Sequence, residues 1–116
     1  MGQLANVRGL LMALALVPAL GAANEMPRCS PMPRPSIPAR PQYPPIPEGP
    51  PRATVTVQFT IRTDGGVIDP IVIGNWPTDS ERWFDGPALD AILKVQFNPV
   101  PFECLGTLRI EFRRPD

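Results

Sequence analysis

Residues Thr54 to Ile73 read TVTVQFTIRTDGGVIDPIVI, and this stretch decides the fold. Val55, Val57, Phe59 and Ile61 alternate with Thr54, Thr56, Gln58, Thr60 and Arg62. A period of two places one row of side chains on a core and the other in water. The run breaks at Thr63-Asp64-Gly65-Gly66 and resumes with Val67, Ile68, Ile71, Val72 and Ile73. Aspartate tolerates a turn and glycine takes positive φ without penalty, so a β-hairpin is expected. Pro70 interrupts the second arm. Proline donates nothing to a ladder, which makes that arm an edge strand or a bulged one and leaves the first arm for the middle of a sheet.

Composition sets the bounds. The chain has 116 residues, 43% of them hydrophobic, with 11 basic and 11 acidic side chains. That is enough for one small domain. The charge balance and the scatter of the basic residues argue against nucleic acid as a partner, since a binder of this size presents a basic face. Histidine is absent, which removes the commonest general base and metal ligand together. No cofactor or metal site is indicated. Asp64, Asp69, Asp79, Glu81, Asp85 and Asp90 read as turn, cap and surface carboxylates, and no nucleophile and base pair can be assembled.

Residues 1–23 carry an early positive charge at Arg8, an apolar run from Leu10 to Leu20, and then Gly21, Ala22 and Ala23. This is the layout of a cleaved secretory signal, and the run falls short of the roughly 20 residues that a membrane span needs. Retention of the signal would instead make an inner-membrane anchor. In an exported protein Cys29 and Cys104 are expected to pair, closing a loop worth about 4 kcal/mol in the chain-entropy picture. Residues 24–51 are proline-rich, with 11 prolines between Met26 and Pro51. Such a segment favours an extended polyproline conformation, about 80 Å long at full stretch, and serves as a spacer or as a ligand for an aromatic groove.

Beyond a turn at residues 74–79, Phe84-Asp85-Gly86-Pro87-Ala88-Leu89 carries the marks of a helix start, with Asp85 at the N-cap, Pro87 in the first turn and Phe84 stapled onto Leu89. Ala88, Leu89, Ile92, Leu93 and Val95 supply its buried stripe, and Asn98-Pro99 ends it. Trp83 is expected to pack on the core or as a lid over it. Leu108, Ile110 and Phe112 then alternate with Thr107, Arg109, Glu111 and Arg113 in a last strand. The expected class is α+β, in ββαβ order: a three-stranded antiparallel sheet with the second strand, the first and the last side by side, covered by one helix. Residues 52–116 form this domain. Its last strand has a free edge, open to a partner or to a second copy of the chain.

The series Tyr43-Pro44, then Arg62-Thr63-Asp64-Gly65-Gly66-Val67, then Phe84-Asp85 with Ala88-Leu89 and Ala91, then Phe97-Asn98-Pro99 and the closing strand resembles the TonB C-terminal domain over about residues 43–114. The chain departs from that pattern at Gly49-Pro50-Pro51-Arg52 before the first strand and at Val95 near the helix end. The resemblance implies a periplasmic module, not an enzyme, that takes up a short extended segment, the TonB box, of an outer-membrane transporter beside the last strand. It would place Thr107, Leu108, Arg109, Ile110, Glu111 and Phe112 at the pairing edge, and bring Gln42, Tyr43 and Pro44 near the partner. A full energy transducer resembling the family also carries a retained membrane helix, commonly with a histidine, and a long spacer. The alternative is an envelope scaffold or interaction protein attached through its proline-rich arm.

Overall fold

The computed structural model describes residues 25–78 and 81–116; the expected signal, residues 1–23, lies outside them. The elements in chain order are β1 (Pro35–Ile37), β2 (Arg52–Ile61), β3 (Val67–Trp76), helix α1 (Glu81–Leu93), β4 (Gln96–Phe97) and β5 (Cys104–Arg113). Strands β3, β2 and β5 form an antiparallel sheet in that spatial order, so the alternating first arm does lie in the middle. Ala53, Val55, Val57, Phe59 and Ile61 of β2 are buried on one face. Helix α1 covers that face with Phe84, Ala88 and Ile92, joined by Val95, Phe97, Ile110 and Phe112.

The Asp-Gly-Gly turn closes through a bond from the Gly65 amide to the Arg62 carbonyl at 2.7 Å, while Asp64 accepts from the Gly66 amide at 2.8 Å. Gly65 sits at φ 89°, and a β-carbon there would press on the carbonyl oxygen of Phe97. The Phe97 amide in turn bonds the Gly65 carbonyl at 2.9 Å, tying the hairpin tip to β4. Gly65→Ala should therefore lower stability by about 2 kcal/mol, through left-handed strain plus a backbone collision, and the melting temperature by roughly 10 °C. A thermal melt followed by circular dichroism checks this; an unchanged midpoint would show that the tip can open at no cost.

Strand β3 is an edge strand with two register shifts against β2. Gln58 pairs with Ile71 and Thr60 with Ile68, so three steps on β3 match two on β2 around Asp69 and Pro70. Asp69 takes φ 54°. The bulge thus accommodates the proline that the ladder could not. The expected turn at 74–79 starts later than the sequence suggests, because Gly74 pairs with Thr56 and Trp76 with Thr54, and the ladder runs on to Trp76.

Four expectations for the helix are corrected. It begins at Glu81, so Asp85, Gly86 and Pro87 lie inside it and Asp85 is no N-cap; its carboxylate accepts from the Asn75 side-chain amide at 3.2 Å. Phe84 is fully buried between Tyr43 and Phe112, with ring centroids 5.3 and 5.0 Å away, instead of stapling the helix start. Leu93, expected in the buried stripe, is about half exposed, as is Trp83, expected as core or lid packing. The helix ends at Leu93, ahead of Asn98-Pro99, and Val95 is buried beyond it.

The proline-rich arm lies along the domain and does not stand off it as a free spacer. Strand β1 pairs antiparallel with β4, and Ser36 donates its hydroxyl to the Gln96 carbonyl at 3.1 Å. Ala39, Tyr43 and Ile46 pack against the core cluster. Tyr43 donates its hydroxyl to the Pro50 carbonyl at 2.7 Å, and the Arg114 guanidinium donates to the Gly49 carbonyl at 2.6 Å. At the other end Cys29 and Cys104 form the expected disulfide, 75 residues apart in sequence.

Candidate protein-docking edge

Strand β5 runs alongside β2 over ten paired positions, from Ile61 opposite Cys104 to Arg52 opposite Arg113. Which backbone groups face β2 follows from one pair of bonds. Leu105 donates its amide to the Pro27 carbonyl at 2.8 Å and accepts from the Cys29 amide at 2.9 Å, so both of its polar groups point away from β2. Backbone groups alternate sides along a strand. Thr107, Arg109, Glu111 and Arg113 therefore also point outward, while Cys104, Gly106, Leu108, Ile110 and Phe112 turn toward β2. Among the described residues, no hydrogen bond reaches the outward amides and carbonyls of Thr107, Arg109, Glu111 or Arg113.

The side chains alternate in the same rhythm. Cys104, Gly106, Ile110 and Phe112 are buried against the helix side, with Leu108 partly so, whereas Arg109, Glu111 and Arg113 are exposed on the open face of the sheet. Gly106 leaves room for the Phe59 ring; a β-carbon there would lie 2.8 Å from it. The edge is consequently backed by a packed core on one side and flanked by charged side chains on the other.

Of the six edge residues named from sequence, Thr107, Arg109 and Glu111 present free backbone, and Leu108, Ile110 and Phe112 hold the strand to β2 and the core. Arg113 belongs with the first group and was missed; the unbroken alternation past Phe112 was the signal. Gln42 is exposed, while Tyr43 and Pro44 are half-buried. Tyr43 is held against Phe84 and Pro50 as an anchor for the arm.

The open face also has a hollow of about 580 Å³, lined by Arg52, Thr54, Thr56, Gly74, Trp76 and Arg109 among others. Gly74 contributes no side chain to this face, and Trp76 stands 61% exposed beside it. Sequence reading did not find this hollow, because it depends on Gly74 continuing β3 instead of turning.

The chain is similar to the Pseudomonas aeruginosa TonB C-terminal domain in solution. The two are 27% identical, the match covers 68% of this chain and 86% of that one, and the TM-score is 0.49. No family model and no curated protein matches the chain. Among the described residues, no helix is long and apolar enough to cross a membrane.

Proposed function

We propose that this chain is a periplasmic TonB-like binding module that takes up an extended segment of an outer-membrane transporter, a TonB box, as an added strand along β5. The observation that carries the reading is the row of four outward backbone positions, Thr107, Arg109, Glu111 and Arg113, left without partners among the described residues on a strand otherwise fully paired to β2. In strand addition main-chain bonds supply affinity and alternate side chains supply selectivity. The sequence series from Tyr43-Pro44 to the closing strand supports the same reading by its resemblance to the TonB C-terminal domain. Gln42, Tyr43 and Pro44 lie on the approach to the domain and flank the partner. Export through residues 1–23 would put the module in the periplasm.

The scaffold alternative used the arm for attachment. Much of the arm is committed to its own domain through β1, Tyr43 and Ile46, which favours the edge as the docking element. A second copy pairing at the same edge would compete with the transporter segment, so homodimer formation and peptide binding should exclude one another.

Titrating TonB-box peptides into the isotopically labelled chain tests the reading. The amides of Thr107, Arg109, Glu111 and Arg113 should shift most and gain protection from exchange. Shifts confined to β3 or to the helix would overturn it.

A further inference from the structure

We infer that the disulfide-held arm is a register stop for the docking edge: it fills the outward position of Leu105 and confines an added strand to the span from Thr107 to Arg113. The inference rests on the strand-addition reading above and adds to it a limit on the length and placement of the partner.

The arm meets β5 at one point. Arg28 bridges Leu105 in the parallel sense, through the bonds from the Cys29 amide to the Leu105 carbonyl and from the Leu105 amide to the Pro27 carbonyl. A parallel ladder would continue on one side with an amide from residue 31 to the Thr107 carbonyl, and on the other with an amide from residue 27 to the residue 103 carbonyl. Both positions are proline, Pro31 and Pro27, and neither has an amide hydrogen to give. The two bonds that need only an arm carbonyl, from the Thr107 amide to Cys29 and from the Glu103 amide to Glu25, are not made among the described residues, so the arm closes Leu105 and stops there.

The bridge between Cys29 and Cys104 adjoins this contact on both the arm and β5, with α-carbons 4.9 Å apart. A tether that short keeps the arm at a high effective concentration over Leu105, on the order of millimolar or above. A free segment at lower concentration will not displace it. The stretch left open is seven residues long, with four outward positions.

Calorimetric titration of the oxidised chain with acetylated, amidated peptides of alternating valine and threonine, five, seven and nine residues long, tests the stop. In the oxidised chain affinity should rise from five residues to seven and then level off. In C29S/C104A, with the arm released, the nine-residue peptide should bind about tenfold more tightly than the seven-residue one, as two further backbone bonds form. Deleting residues 25–28 keeps the disulfide and removes the Pro27 carbonyl, so a gain of about threefold is expected there even should the double variant fold poorly. Amide exchange at Leu105, slow in the oxidised chain and fast in both variants, reports the arm without any peptide. A nine-residue peptide already tighter than the seven-residue one in the oxidised chain would overturn the stop and leave strand addition standing. Failure of every peptide to bind any form would overturn both.

Discussion

Arg109→Pro should weaken binding of an extended peptide by roughly one to two orders of magnitude while leaving the fold in place. The amide of residue 109 points away from β2, so proline there removes no bond of the sheet, and proline is tolerated on an edge whose amide side faces solvent. The residue before it, Leu108, is already extended, as the residue preceding a proline prefers to be. What is lost is a donor in the middle of the open row, and the ring occupies the space where a partner carbonyl must sit. Stability should change by no more than about 1 kcal/mol. Leu108→Pro is the control: its amide faces Val57 across the β2 ladder, and proline there should prevent folding. Calorimetry on Arg109→Pro, with melts of both variants, separates the outcomes. Undiminished binding by a folded Arg109→Pro variant would remove β5 as the docking element.

Much of this architecture was readable because strands with one buried face leave a period of two. The alternation of Val55, Val57, Phe59 and Ile61, the Asp64-Gly65-Gly66 turn and the proline at 70 give the hairpin, its bulge and the central strand. The helix start was misread because Asp85 and Pro87 carry cap-like chemistry locally. Burial of Phe84 between Tyr43 and Phe112 outweighs that preference, and the helix runs through the proline. The spacing of Phe84, Ala88, Ala91 and Ile92 was the better signal, since it is a helical stripe that already includes Phe84. The arm was illegible for a different reason. Its placement on β4, at Leu105 and beside Phe84 is set by tertiary partners, and a proline-rich segment has no periodicity through which to announce a face. Strand β5 was legible as an edge, but which of its residues point outward needed the bond between Leu105 and the arm.

Phe84→Ala should be among the most destabilising single changes, costing about 3 to 5 kcal/mol. A domain of this size has roughly 5 to 14 kcal/mol of stability in all, so at least about a fifth of it would go. Phe84 is fully buried and touches the arm through Tyr43 and strand β5 through Phe112. Truncation opens a void at the junction of three elements held together by different means, a helix, a sheet and a proline-rich strap, which limits how far any of them can collapse inward. The strap loosens first, because Tyr43 loses the ring that orients its hydroxyl toward the Pro50 carbonyl. The neighbouring Trp83 is larger but about half exposed, and Trp83→Ala should cost only about 1 kcal/mol. Urea unfolding of the two variants gives the comparison directly. If Trp83→Ala proved the costlier change, the helix would have to be turned by nearly a third of a rotation from the placement described, and the packing that backs β5 would have to be redrawn.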